Sequence, residues 1–170
     1  MKVTVNRQEI VEAVKHLRSL SAGGKGDYTN VVGLYTNSGY VYLLGMITSG
    51  AVRAGSLVIR LEAEVEDESG DPCFVNSEIA TVLQAAKEDW VTLQVGKRIA
   101  ISDKQGFKAT FQPSAVPPVP FSVVWKMMHD EYPVTATVVS KDLRYLVQAS
   151  RSLPGRGATF DKRYIFLNLS

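Results

Sequence analysis

Basic and polar side chains recur at helical spacing in a segment near the end of the sequence. Four of them are three or four residues apart and so share one face of a predicted helix: Lys141, Arg144, Gln148 and Arg151. The opposite face carries the apolar Leu143, Leu146 and Val147, which indicates packing on a core. A basic outer face is usually only solvated, and the chemistry it otherwise offers is contact with the phosphates of nucleic acid.

A second set of basic residues lies on a helix predicted from Arg7 to Leu20. The side opposite its apolar stripe carries Gln8, Glu12, Lys15 and Ser19, with Arg18 on the flank. This face is only mildly basic, and Lys15 and Arg18 are its candidate phosphate contacts. Another predicted helix, 77–87, is expected to expose side chains that attract phosphates little: Ser77, Thr81, Gln84 and Glu88.

Residue types and spacings typical of catalysis or metal binding are missing from the sequence. His16 and His129 are far apart and have no cysteine or carboxylate at ligand spacing, so each is interpreted as a surface histidine. The segment Gly23-Gly24-Lys25-Gly26 lacks both the preceding strand and the following Lys-Ser/Thr of a P-loop. Cys73 is interpreted as a small buried hydrophobe. The sequence therefore indicates a protein that is not an enzyme and uses no cofactor or metal.

Composition indicates an ordinary globular protein with one basic segment. Hydrophobic residues make up 45% of the 170 residues, enough for one good-sized domain with part of a second. A single cysteine excludes an internal disulfide, and with neither a leader nor a membrane-length apolar run in the sequence we expect a cytoplasmic protein without membrane contact. Residues 1–133 carry 13 basic and 15 acidic side chains, whereas 134–170 carry 6 and 2, so the last segment is locally basic.

The sequence contains an internal repeat. At an offset of 133 residues, MKVTVNRQEIVEAVKHLRSL corresponds to ATVVSKDLRYLVQASRSL, so that Arg18-Ser19-Leu20 matches Arg151-Ser152-Leu153. A fainter copy, CFVNSEIATVLQAA, lies at an offset of 69. The repeating unit is therefore a little under seventy residues long, which predicts a module of several elements rather than a helix pair.

Each of the first two units reads as β-α-β-β-β. In the first, the helix from Arg7 to Leu20 follows a strand around Val3 and Val5, and three strands come next: Val31 to Thr36, Tyr40 to Ile47 and Ala51 to Val65. In the second, the helix from Ser77 to Lys87 lies among four strands: Cys73 to Asn76, Trp90 to Val95, Arg98 to Ser102 and Phe107 to Gln112.

A proline-rich stretch separates these units from the third copy. Four prolines in PSAVPPVP forbid a helix there and favour an extended connector, and Phe121 to Tyr132 is assigned to the crossing that follows. The third copy predicts a strand, a helix and a strand: Thr135 to Val139, Lys141 to Leu153 and Arg163 to Leu169. Trp90 and Trp125 are expected to be packing residues, with an exposed anchor at Trp125 as the alternative.

This order of elements resembles the bacterial DNA sliding clamp, the beta subunit of the replicative DNA polymerase III. The likeness is carried by the opening MKVTVNRQEIVEAVKHL, the loop with Gly23-Gly24-Lys25, GDPCFVNSEIATVLQAA, VTLQVGKRIAISDKQGFKATFQ, the proline-rich exit and Lys162-Arg163-Tyr164. It implies an α+β DNA-clamp fold, a domain of two β-α-β-β-β half-modules with helices on one face of curved antiparallel sheets. The implied organisation is a clamp-like domain 1 at 1–120 (half-modules about 1–70 and 71–112), a linker at 121–133 and an incomplete second β-α-β domain at 134–170.

The resemblance also implies a function and its residues. A sliding-clamp-like processivity factor, or a fragment of one, would encircle or tether to duplex DNA and serve the replicative polymerase and clamp loader. Contacts to the phosphate backbone would come from seven residues: Lys15, Arg18, Lys25, Lys141, Arg144, Gln148 and Arg151. Part of a partner-binding wall would come from Arg163, Tyr164, Ile165, Phe166 and Leu167, and the open last strand predicts self-association through 134–170. The alternative is a clamp-fold interaction protein that docks on a replication clamp or polymerase without binding DNA.

Overall fold

A computed structural model describes residues 1–21, 30–49, 52–68, 72–116 and 118–129 of the chain. Contacts divide the chain into two compact units, Met1–His129 and Asp130–Ser170, and all of the elements described here belong to the first.

The chain begins with a strand and a helix whose buried residues follow the two periods seen in the sequence. Strand β1 (Lys2–Asn6) buries Val3 and Val5, as alternation predicts. Helix α1 (Arg7–Ser21) begins where the Asn6 Oδ1 atom accepts hydrogen bonds from the backbone N–H groups of Gln8 (2.9 Å) and Glu9 (3.2 Å). Its buried stripe has helical spacing and consists of Ile10, Val11, Ala13, Val14 and Leu17.

The remaining elements repeat this plan. After α1 come β2 (Val31–Asn37), β3 (Tyr40–Ser49) and β4 (Val52–Asp67). The second module consists of β5 (Cys73–Asn76), α2 (Ile79–Leu83), β6 (Trp90–Val95), β7 (Ile99–Ser102) and β8 (Lys108–Phe111). A third helix, α3 (Phe121–His129), follows. The two predicted β-α-β-β-β half-modules are thus confirmed.

The strands form one antiparallel sheet in the order β5-β2-β3-β4-β1-β6-β7-β8. The first strand of each module pairs with the second strand of the other module: β1 with β6, and β5 with β2. Neither module is therefore a separate sheet. The exchange joins them into a single domain with β5 and β8 at its edges.

The main core lies between the sheet and the two helices α1 and α2. Alternate strand residues point into it, among them Val32, Val41, Leu43, Val75 and Val91. Helix α1 packs on β3 and also contacts α2. The prediction that these two helices share one face of the sheet is confirmed, and burial of this apolar surface is the main force that holds them there.

Helix α2 is shorter than the predicted helix from Ser77 to Lys87. The backbone N–H of Ala80 bonds to the Ser77 carbonyl at 3.2 Å and that of Ala86 to the Leu83 carbonyl at 3.2 Å, three-residue spacings that make tight turns at both ends. The Lys87 N–H bonds to the Asp103 carboxylate at 3.1 Å instead of a helical carbonyl. Hydrogen bonds to neighbouring loops therefore replace the outer turns of this helix.

Helix α3 corrects the prediction for the segment after the prolines. The sequence assigns Phe121–His129 to a linker, but it is a helix on the sheet face opposite α1. Val124 is completely buried there, and the Tyr35 hydroxyl donates a 2.9 Å hydrogen bond to the Val119 carbonyl. The helix begins at once after Pro120, whose carbonyl accepts from Val123 N–H at 2.9 Å, because proline is compatible with the first turn of a helix.

No helix among the described residues is long and apolar enough to cross a membrane.

Gly45 lets α1 approach β3 closely. A Cβ atom at this position would lie 2.9 Å from Leu17 Cδ2 and 3.1 Å from Leu17 Cβ. We expect Gly45→Ala to push the helix from the sheet and to lower the free energy of unfolding by about 1–3 kcal/mol, measured by urea denaturation. Gly96→Ala is the matched control, because a Cβ there meets nothing within 4 Å. Equal stability of the two variants would contradict the close-approach argument.

The buried thiol of Cys73 should react slowly with alkylating reagents. Burial raises the pKa of its thiol from 9.0 to about 11, against a smaller lowering by the charged chain N-terminus. The thiolate fraction at pH 8 is then about 100-fold below that of an ordinary cysteine, since 11 − 9 is two units. We expect alkylation by iodoacetamide at pH 8 to be slower by at least about that factor in the folded protein than in urea.

The same shift fixes the sign of a stability change. Because the folded-state pKa of Cys73 is the higher one, its contribution to stability is complete below pH 9 and is lost as the pH rises through about 11. The free energy of unfolding of the unmodified protein should therefore fall, relative to that of Cys73→Ala, between pH 9 and 11. Parallel pH profiles for the two proteins would contradict the shift.

Candidate nucleic-acid interface

The solvent side of α1 carries the two predicted phosphate contacts that lie within the described residues. Lys15 and Arg18 are both exposed and one helical turn apart. They lie on the side of the helix away from the sheet, because Val14 and Leu17 beside them are only 1% exposed. The amphipathic period of α1 thus places both basic groups in solvent, as the sequence predicts.

Acidic groups on the same helix balance these charges. Glu9 and Glu12 are exposed, and the Gln8 side chain donates a 3.4 Å hydrogen bond to the Glu12 carboxylate. Two carboxylates and two basic groups leave the exposed face of α1 formally neutral. Attraction of this helix for phosphates is therefore weak at physiological ionic strength.

Arg7 fixes the start of α1 against the loop that follows α2. Its Nε donates to the Glu88 carbonyl at 2.8 Å, its backbone N–H bonds to the Asp89 carbonyl at 2.7 Å, and its guanidinium lies 3.8 Å from the Asp89 carboxylate. The contribution of the half-exposed ion pair is small, but the two hydrogen bonds set the direction of the helix. Lys15 and Arg18 are consequently held on a fixed frame.

Asp103 holds the loop at the other end of α2. Its carboxylate accepts from the backbone N–H groups of Lys87 (3.1 Å), Gln105 (3.0 Å) and Phe107 (2.8 Å). Desolvation raises the pKa of this carboxyl, but the backbone donors together outweigh it and hold the pKa below its ordinary value. Asp103 is therefore ionised at neutral pH, and the hairpin of β7 and β8 is tied to the end of α2.

Of the four side chains around α2 that the sequence predicts to be exposed, Ser77 differs from the prediction and Glu88 differs in part. Thr81 and Gln84 are exposed and Glu88 is half-buried, but Ser77 is only 1% exposed. Its backbone N–H bonds to the Asn30 carbonyl at 2.8 Å, which extends the pairing of β5 with β2 by one residue before the helix begins. Ser77 is thus a core residue rather than part of a wet helix face.

Most of the predicted site lies outside the described residues. The structure brings together Lys15 and Arg18. The other predicted contacts fall on residues that it does not describe: Lys25, Lys141, Arg144, Gln148, Arg151 and the strand segment Arg163, Tyr164, Ile165, Phe166 and Leu167. Within the part of the chain described, no three His, Cys, Asp or Glu side chains converge on a possible metal position.

Two tryptophans expected to be packing residues are exposed over nearly half of their surface. Trp90 is 49% exposed on β6, and Trp125 is 41% exposed on α3, where its ring stacks on His129 at 3.9 Å between centroids. The strand alternation contains the signal for Trp90, because Val91 and Leu93 point into the core and Trp90 therefore points away from it. Both tryptophans lie on the sheet face opposite α1.

Comparison with known proteins gives matches in structure only. No family model matches the sequence and no curated protein matches it. The beta sliding clamp of C. crescentus has a TM-score of 0.53 and 19% identity, with 68% of this chain and 30% of that chain covered. A sliding clamp of Bartonella birtlesii, the DNA polymerase III subunit beta, has a TM-score of 0.52 and 20% identity, with 68% of this chain and 30% of that chain covered. The Helicobacter pylori beta clamp has a TM-score of 0.54 and 14% identity, with 80% of this chain and 33% of that chain covered.

These matches concern a part of the clamp. The chain spans about a third of the length of the solved structures it matches. Over that length the antiparallel sheet of eight strands with few helices corresponds to the architecture of its structural neighbours. At identities of 14–20% the likeness concerns the fold alone. The chain therefore has part of the fold seen in bacterial beta sliding clamps.

Proposed function

We propose that the chain is a sliding-clamp-like DNA replication processivity factor, or a fragment of one, and that it acts in the cytoplasm. The observation that carries this proposal is the eight-stranded sheet made of two equivalent modules with α1 and α2 side by side on one face. It is the architecture that this chain shares with the beta clamps. The proposed action is non-enzymatic: the protein encircles duplex DNA or tethers to it without reading its sequence.

The balanced charge of α1 suits such an action. A protein that is held on DNA by enclosure needs no base contacts, and weak contacts to phosphates let it slide. Lys15 and Arg18 beside Glu9 and Glu12 provide weak contacts of this kind. In the proposal Lys25 and the predicted helix face of Lys141, Arg144, Gln148 and Arg151 add further phosphate contacts.

Partner binding forms the second part of the proposal. One solved structure of the Helicobacter pylori beta clamp holds a DNA ligase peptide. By analogy, this chain would bind short segments of a replicative polymerase or clamp loader, with Arg163, Tyr164, Ile165, Phe166 and Leu167 as one wall of the binding surface. The domain at 134–170 would also join copies of the chain through its last strand.

A second candidate function rests on the charge of α1. Two carboxylates beside two basic groups make a face that duplex DNA hardly attracts. The same weak attraction that suits sliding therefore also suits an interaction protein that has the clamp fold and docks on a replication clamp or polymerase without binding DNA. Retention of replication proteins by the immobilised chain, with no retention of duplex DNA, is the result that would select it.

Charge reversal tests the DNA contacts. We expect the chain to bind a fluorescent duplex weakly and independently of sequence, with an affinity that falls with salt by a logarithmic slope of about 0.9 per phosphate neutralised. K141E/R144E/R151E should abolish binding, and K15E/R18E should weaken it and lower the slope by about 0.9 for each phosphate that is no longer neutralised. Fluorescence anisotropy at several salt concentrations measures both.

A matched control separates the site from net charge. K97E/R98E makes the same change of charge in the exposed turn between β6 and β7 and should bind DNA like the unmodified protein. Retention on nicked circular DNA with loss from linear DNA would support enclosure. Equal retention on both would contradict enclosure, and equal weakening by both double reversals would contradict the helix face.

Self-association is tested by blocking the last strand. Proline has no N–H donor and does not fit a paired strand, so Ile165→Pro should convert an assembly of this chain to monomers. Sedimentation velocity at micromolar concentration measures the change, and Ile165→Val is the control that preserves the strand. A strictly monomeric profile of the unmodified chain under these conditions would contradict self-association through 134–170.

A further inference from the structure

A groove lies on the sheet face opposite α1, between β3, β4 and β6. It has a volume of about 390 Å³, and its lining residues are Ser38, Gly39, Tyr40, Glu62, Ala63, Glu64 and Trp90. The strand register explains the arrangement. Tyr40 of β3 pairs with Glu62 of β4, and Trp90 of β6 pairs with Asn6 of β1, the strand that lies between β4 and β6. Two aromatic rings and two carboxylates thereby line one groove.

The groove side chains point into solvent rather than into the core. Glu62, Glu64 and Trp90 are exposed, whereas the residues that alternate with them, such as Leu61 and Val91, belong to or pack against the main core. Among the described residues neither Glu62 nor Glu64 has an ion-pair partner, while the next carboxylate on the strand, Glu66, is paired with Lys2. The groove therefore carries two carboxylates without an ion-pair partner beside an indole face, and the Arg60 guanidinium on Tyr40 offsets one of these negative charges.

One guanidinium group already lies on an aromatic ring of this groove. The Arg60 side chain places its Cζ atom 4.6 Å from the centre of the Tyr40 ring, within the range of a cation–π contact. Tyr40 in turn meets Tyr42 edge-on at 6.4 Å between centroids, which supports its ring. The structure thus contains an internal example of the contact that the groove can make.

We propose that this groove binds an arginine side chain in an extended segment of a partner protein. The guanidinium would lie against the Trp90 indole, and the carboxylates of Glu62 and Glu64 would accept its hydrogen bonds. A planar, weakly hydrated guanidinium stacks on aromatic faces and also bonds to carboxylates, which a lysine ammonium does less well. The site needs no DNA, because it lies on the face away from Lys15 and Arg18, and a failure of this proposal would leave the proposed function untouched.

Three peptides that differ in one side chain test the chemistry of the occupant. N-acetylated, C-amidated Gly-Gly-Arg-Gly-Gly is compared with the lysine peptide and with the citrulline peptide, in which a neutral urea replaces the guanidinium at the same shape. Titrations follow Trp90 fluorescence in a Trp125→Phe background, together with backbone amide shifts of the full chain. We expect the arginine peptide to bind most tightly, and the citrulline peptide to bind about three- to tenfold more weakly.

Variants of the groove locate the binding. E62Q/E64Q should weaken binding of the arginine peptide, whereas E9Q/E12Q, an equal change of charge on α1, should leave it unchanged. Arg60→Gln should tighten binding by roughly two- to fivefold, because it removes a competing cation from the Tyr40 ring. Trp90→Ala should abolish the amide shifts of Tyr40 and Glu62, and a thermal unfolding curve checks that this variant is folded.

Four results would overturn the proposal. They are equal binding of the arginine and citrulline peptides, equal weakening by the two glutamine pairs, weaker binding by Arg60→Gln, and no shift with the arginine peptide at millimolar concentration. The Arg60→Gln outcome is the sharpest of them, because a site that reads only shape or apolar surface gives no reason for tighter binding when a neighbouring cation is removed.

Discussion

Strand β1 is the constraint on which the rest of the described structure depends. It pairs with β4 through Lys2 to Val5 and with β6 through Lys2 to Asn6, so a short segment joins the two modules into one sheet. Helix α1 follows β1 without a loop, and Arg7 ties its first turn to the Glu88 and Asp89 carbonyls. The direction of β1 therefore sets the direction of α1, and Gly45 sets how closely that helix approaches the sheet. The position of the polar helix face is a consequence of strand pairing.

The two faces of the sheet carry different chemistry. The α1 face presents a nearly neutral polar surface, whereas the opposite face presents aromatic side chains and carboxylates, including Trp90, Glu62 and Glu64. Alternation along each strand separates the two sets, because neighbouring residues point to opposite sides. A partner on the sheet face opposite α1 would therefore not compete for space with a ligand on the face that carries α1.

The sequence predicts those features that follow from local periodicity. Alternating residues in β1, β4 and β6 and the helical stripe of α1 are read directly from apolar spacing, and the internal repeat predicts two equivalent modules. Features decided by distant contacts are not predictable in this way: the ends of α2 depend on Asn30 and Asp103. The prolines before α3 indicate a connector, although Phe121, Val124 and Met128 have helical spacing. For the site, periodicity places Lys15 and Arg18 in solvent, but their electrostatic balance depends on every charge that shares their face.

Charge on the sheet face opposite α1 also bears on where DNA would lie in the proposed function. Glu62, Glu64 and Glu66 are exposed along one side of β4 together with Arg60, and among the described residues only Glu66 of the three carboxylates has an ion-pair partner. These carboxylates repel phosphates that approach within about 8 Å, the screening length at physiological salt. The neutral face of α1 lacks this repulsion. In the proposed function this difference would favour the helix side of the sheet for duplex DNA and leave the groove on the opposite face to cationic partners. Repulsion on one face would then add to the selectivity that the weak attraction of α1 cannot supply alone.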